Sequence, residues 1–165
     1  MLEIELSVDL ASRAEDVWDV VGNFNGLPDW HPWVVASVLE PAAGGVGRRV
    51  TIAGGAAGLR ELTERLVSYD ASRLEYAYTV IAGSVPFAGY VGRFRVVPNG
   101  PGSCALKFRG RFRAAPGHTD VEATERIRTF YEAGLENLPV LFGSRSGVGP
   151  RRRPDRPRID PAARG

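Results

Sequence analysis

The run SCALKFRGRFRA at residues 103–114, followed closely by TDVEATERIRTFYEAGLENLPVLF at 119–142, changes its hydrophobic period from two to that of a helix. In the first run Cys104, Leu106, Phe108, Gly110 and Phe112 share one face and Lys107, Arg109, Arg111 and Arg113 the other, which is a half-buried strand. In the second, Thr119 and Glu122 make a capping box. Val121, Ile127, Phe130, Tyr131, Leu135, Leu138 and Leu141 then recur at helical spacings, which predicts a helix of roughly 20 residues with Pro139 kinking its last turn.

Working back from this strand-then-helix ending, the pattern is strands and turns. Candidate strands cover 33–40, 48–53, 59–69, 73–82 and 89–97, separated by Pro41 to Gly45, Gly54-Gly55, Asp70 to Ser72, Gly83 to Phe87 and Pro98 to Gly102. Links this short imply an antiparallel meander. At the N-terminus Leu2, Ile4, Leu6, Val8 and Leu10 alternate with polar residues and read as a first strand. Ser12 and Glu15 then offer a capping box for a short helix carrying Val17, Val20, Val21 and Phe24. Asn25-Gly-Leu-Pro28 breaks that helix, and Asp29-Trp-His-Pro-Trp33 forms a turn or a second short helix. The fold class is therefore α+β: a curved antiparallel sheet of about seven strands wrapped around a long C-terminal helix, with one or two short helices after the first strand.

The chain is long enough for one core, and residues 1–143 read as one domain. Residues 144–165 hold seven arginines against Asp155 and Asp160, a local +5 that leaves −3 for the rest. This Arg/Pro-rich tail has no periodicity and is expected to be disordered. The basic balance belongs to the tail, so no nucleic-acid partner is expected of the domain. No run of about 18 apolar residues and no signal-peptide leader is present, which predicts no membrane span and a cytoplasmic location. The single cysteine, Cys104, reads as a small buried hydrophobe.

A strongly curved sheet cannot touch one helix along its whole width, so the space between them is filled by side chains or left as a pocket. Alternation points Leu62, Glu64, Leu66 and Ser68, then Leu74, Tyr76, Tyr78 and Val80, then Tyr90, Gly92, Phe94 and Val96 into that space. An apolar lining with a few polar groups suits a small-molecule site. Arg93, Arg95, Lys107, Arg109, Arg111 and Arg113 point outward. If the first strand pairs with the last, Glu3 and Glu5 lie across from that row and Glu75 faces Arg93 or Arg95. A solvated, partly neutralised face is then favoured over a binding surface.

The order of elements, with Ala14-Glu-Asp-Val-Trp18, Asp29-Trp-His-Pro32, Glu64-Arg-Leu66 leading to Tyr69-Asp70, Tyr76 and Tyr78, then Gly83-Ser-Val-Pro86 and Tyr90, resembles the START-like (SRPBCC, helix-grip) superfamily, and within it the bacterial polyketide cyclase/dehydrase-like group. The resemblance spans about residues 2–142. It implies a cavity between helix and sheet that binds a small hydrophobic, aromatic or polyketide-like molecule, with no cofactor. It leaves two roles open: cyclisation, dehydration or isomerisation by acid/base chemistry, and a non-catalytic carrier or sensor of a lipid-like ligand. The residue it carries over as catalytic is Glu64, with Trp30 at the cavity mouth.

A carboxylate facing an apolar cavity is desolvated, which raises its pKa and suits it to general acid or base work; the alternative is a hydrogen-bonded structural group. Around it the expected ligand-binding residues are Trp30, Leu62, Leu66, Tyr76, Tyr78, Tyr90, Phe94, Phe108, Ile127, Phe130 and Tyr131. Buried tyrosines of this kind are more often packed with satisfied hydroxyls than used on a ligand. His31 and His118 have no third partner at metal-ligand spacing, so no metal is expected, and His31 reads as a turn histidine packed on tryptophan. Gly44-Gly45-Val-Gly47 is followed by neither lysine nor helix and is no phosphate loop. The sequence sets no oligomeric state.

Overall fold

The computed structural model describes residues 1–54 and 58–144. The expected tail from 145 onward and Gly55 lie outside the described residues. Seven antiparallel strands form one sheet: β1 (Leu2–Leu10), β2 (Val34–Ala42), β3 (Gly45–Ala53), β4 (Leu59–Asp70), β5 (Glu75–Ala82), β6 (Phe87–Gly100) and β7 (Ser103–Ala114). Their spatial order is β1-β7-β6-β5-β4-β3-β2. The chain crosses from one edge of the sheet to the other through helix α1 (Ala14–Val21) and a 3-10 turn at Leu27–Asp29, then runs back as a meander. The long helix α2 (Asp120–Phe142) closes the concave face.

Two hairpin links are shorter than the glycine and proline clusters suggest. Pro41 and Ala42 pair within β2, leaving Ala43-Gly44 as the turn, and Pro98 to Gly100 remain in β6. Leu74 sits at φ 54, in the left-handed region, so β5 starts at Glu75 rather than at 73.

The two capping boxes part ways. Thr119 caps α2 as expected: its hydroxyl accepts from the Glu122 amide while the Glu122 carboxylate accepts from the Thr119 amide. At α1 the N-cap is Arg13, with no side-chain cap. Ser12 instead donates to the carbonyl of Phe142, at the far end of α2. The hydroxyl that local pattern assigns to a helix start thus joins the two ends of the domain. Val121 stands 70% exposed, and Ala123 and Gly134 take buried places on α2 that hydrophobicity alone does not assign. The helix runs through Pro139 to Phe142.

Register explains the curvature. Bulges interrupt β4 against β5 between Thr63 and Glu64 and between Leu66 and Ser68, and the second moves every later side chain to the opposite face. Ser68, expected inward, is exposed, while Tyr69 packs on Trp18 with ring centroids 5.4 Å apart. Across β1 and β7 the register sets Glu3 against Arg111 and Glu5 against Arg109. Ion pairs follow at 2.8 Å for Arg109 with Glu3, 3.6 Å for Arg109 with Glu5 and 3.2 Å for Arg93 with Glu75. The outer face is the partly neutralised surface that alternation implies. No described helix is long and apolar enough to cross a membrane.

Candidate functional site

Helix α2 leans on β1 and β7, so the curved sheet stands away from it on the side of β3, β4 and β5. The middle of that gap is filled. Phe94 lies at the centre of an aromatic cluster, 5.4 Å from Trp30, 5.6 Å from Tyr76, 5.1 Å from Phe108 and 5.6 Å from Tyr131, measured between ring centroids. Tyr131 stacks on Phe108 at 3.8 Å. What remains is a slot of about 50 Å³ lined by Ile52, Leu62, Val80, Val85, Phe87, Ile127 and Phe130, with Glu64, Tyr90 and Tyr131 as its polar groups. Arg60, Ser84 and Arg126 complete its lining and also border a wider open vestibule of about 830 Å³ that includes Trp33, His118, Glu122, Glu125 and Thr129.

The sequence-derived site residues therefore divide. Glu64, Leu62, Tyr90, Ile127, Phe130 and Tyr131 come together around the slot. Tyr76, Tyr78, Phe94, Phe108 and Leu66 face the same space but are spent on packing it. Trp30 is not at the mouth. It is 1% exposed against Phe94, and its backbone carbonyl accepts from the Asn137 side chain, so it anchors the turn before β2 to α2.

Glu64 is not a lone carboxylate. Arg48 of β3 lies directly across from it in the sheet and donates from Nε to Glu64 Oε2 at 2.6 Å. The guanidinium also donates to the carbonyl of Phe24 and sits 4.2 Å above the Phe24 ring. Both charges are buried. Burial is the largest single influence on Arg48 and pulls it down, but the Glu64 charge and hydrogen bond, with Tyr76 and Tyr131 beside them, together hold the guanidinium above its ordinary range. Arg48 is the residue the sequence reading missed. Its signal was present: it alternates with Val50 and Ile52 on the inward face of β3.

Beside the ion pair runs a chain of hydroxyls. Tyr90 donates to Tyr131 at 3.0 Å, which leaves Tyr78 to donate to Tyr90 at 2.9 Å. Gly92 makes room for it, since a Cβ there would lie 2.5 Å from the Tyr90 hydroxyl and 2.7 Å from the Tyr78 ring. Burial pushes Tyr76 up to about 12 and holds Tyr90 and Tyr131 well above 10, so these groups are neutral hydrogen-bond donors and acceptors.

His31 is 1% exposed and fully engaged. Its ring stacks on Phe130 at 3.9 Å, Nδ1 accepts from the Trp33 amide at 3.1 Å, and Nε2 donates to the Phe130 carbonyl at 2.6 Å. Burial lowers its pKa to about 4. It ties the Trp30–Trp33 turn to α2 as a neutral ring. Cys104 is buried on β7, where burial raises its thiol to about 11, outside nucleophilic use.

Comparison with known proteins matches residues 1–142 to the family described as polyketide cyclase / dehydrase and lipid transport. Among solved structures, the chain resembles the protein XoxI from Bacillus cereus at TM-score 0.77 and 25% identity, covering 86% of this chain and 96% of that one. It resembles a protein from Thermobifida fusca at TM-score 0.69 and 29% identity, covering 84% and 91%. Its fold is also that of the Zhui aromatase/cyclase from a Streptomyces species, at TM-score 0.67 and 19% identity, covering 88% and 98%. No protein of curated function matches the sequence.

Proposed function

The chain belongs to the polyketide cyclase / dehydrase and lipid transport family, with a START-like helix-grip fold, and we propose that it binds a small, mainly hydrophobic molecule that carries oxygen. The observation that carries this reading is the apolar slot whose polar lining includes Glu64, Tyr90 and Tyr131. Tyr131 accepts from Tyr90 and keeps its own proton for a ligand carbonyl or hydroxyl. The body of the ligand replaces water against Leu62, Val80, Ile127 and Phe130.

Two roles fit this site. As an enzyme, the chain would use Glu64 as the base for proton transfer in cyclisation, dehydration or isomerisation of a carbonyl compound, with the tyrosines holding the developing oxyanion. As a carrier or sensor it would use the same contacts without turnover. The ion pair favours the second role, because Glu64 already holds a charged partner at 2.6 Å.

Native mass spectrometry of the chain from its own host tests the reading. The expected result is one co-purifying apolar compound that is lost when Val85→Trp fills the slot. A folded protein that takes up no apolar compound from a small-molecule library overturns it. Turnover of the recovered compound, abolished in Glu64→Gln with binding retained, assigns the enzymatic role.

A further inference from the structure

Among the described residues, the rim where the slot meets the vestibule carries two arginines and no carboxylate paired with either. Arg60 on β4 and Arg126 on α2 each line both spaces. Among the described residues neither makes an ion pair, and the buried Arg60 Nε has no hydrogen-bond partner. The acidic residues of the vestibule are committed elsewhere. Glu122 accepts from the amide and hydroxyl of Thr119 in the helix cap and lies 3.8 Å from His118, and Glu125 lies 3.6 Å from Arg128. The two guanidiniums are close enough to oppose each other: partial burial first, then the charge of Arg60, lowers Arg126 from its ordinary range.

Like charges facing one another beside an unsatisfied donor call for an anion between them. We infer that Arg60 and Arg126 form a carboxylate-binding subsite at the mouth, so that the ligand is an apolar carboxylic acid with its hydrocarbon end in the slot. A carboxylate accepts two parallel bonds from a guanidinium fork, supplies the acceptor Arg60 Nε lacks, and relieves the repulsion between the arginines. The slot of about 50 Å³ takes a short branched chain or the edge of one ring, and the open vestibule leaves room for the acid group. The inference rests on the slot reading of the proposed function and adds the chemical class of its ligand.

Calorimetric titration of the full chain with phenylacetate and with methyl phenylacetate separates the two ideas. Phenylacetate is expected to bind at least about tenfold more tightly than the ester, the size of effect typical of hydrogen bonds to a charged group. That preference is expected to vanish in Arg60→Gln and in Arg126→Gln, to weaken with salt, and both compounds are expected to be lost in Val85→Trp. Equal binding of acid and ester, both lost in Val85→Trp, overturns the carboxylate subsite and leaves the slot reading standing. An arginine-dependent preference untouched by Val85→Trp overturns the placement of the hydrocarbon end in the slot. Binding of neither compound by the folded chain overturns both.

Discussion

Arg48 and Glu64 face each other across β3 and β4 and meet at 2.6 Å with both side chains buried. Two buried charges, of which Glu64 alone lines the slot, are costly singly and tolerable together, because each satisfies the other and Arg48 also reaches the Phe24 carbonyl. The pair therefore binds the loop after α1 to the sheet beneath the slot. It also sets what Glu64 can do, since any proton placed on that carboxylate breaks an ion pair.

Removing one partner is expected to be far worse than removing both. Arg48→Met leaves Glu64 as an unpaired buried carboxylate and should cost about 3–5 kcal/mol, as should Glu64→Leu by stranding the guanidinium. The double variant should recover most of that loss. Denaturant melts of the four proteins check this; additive losses in the double variant would show that the two residues act separately.

The hydroxyl chain has its own ranking. Tyr90 takes part in both bonds and Tyr131 in one, so Tyr90→Phe should cost more than Tyr131→Phe, at about 1 kcal/mol per bond. Gly92→Ala should cost more than either, because its new methyl group would press on the Tyr90 hydroxyl and the Tyr78 ring at once. Thermal melts rank the three; equal stability of Tyr90→Phe and wild type would remove the chain from the account.

Much of this was legible in the chain itself. Strict alternation places Tyr76, Tyr78, Tyr90, Phe94 and Phe108 inward, and once β1 pairs with β7 it sets Glu3 and Glu5 against the outward arginine row. Ser68 was misplaced because a bulge shifts phase without any glycine or proline to announce it. Trp30 was misplaced because a turn carries no periodicity from which to read its direction. Arg48 was missed because an arginine reads as surface unless its strand phase is weighed above its charge. The slot's size lies beyond pattern altogether, since it depends on how far the aromatic side chains fill the gap.

His31 makes stability depend on pH in a defined window. Its folded pKa of about 4 lies below the ordinary 6.5, so the unfolded chain takes up a proton that the folded one refuses. The contribution of neutral His31 is complete above about pH 6.5 and is lost as pH falls toward about 4, with an upper bound of about 3–4 kcal/mol. Denaturation at a series of pH values, with His31→Gln as control, checks this. The variant should be less stable near neutrality and flatter across that window; identical slopes would place the dependence elsewhere.

Gly134 lies on the buried face of α2, where replacing glycine by alanine ordinarily gains about 1 kcal/mol of helix propensity. Here the added Cβ would stand 2.7 Å from His31 Cδ2 and 2.9 Å from the Trp30 ring. Both neighbours are fixed, His31 by bonds at each ring nitrogen and Trp30 by its T-shaped contact with Phe94, so neither can yield cheaply. Overpacking of this kind costs about 1–3 kcal/mol and should outweigh the propensity gain. Gly134→Ala is therefore expected to lower the melting temperature, and the double variant Gly134→Ala with His31→Ala to lose less than the two single losses combined. A more stable Gly134→Ala would mean that the turn carrying Trp30 and His31 can move off the helix. The slot's mouth, with Phe130 stacked on His31, would then be free to widen.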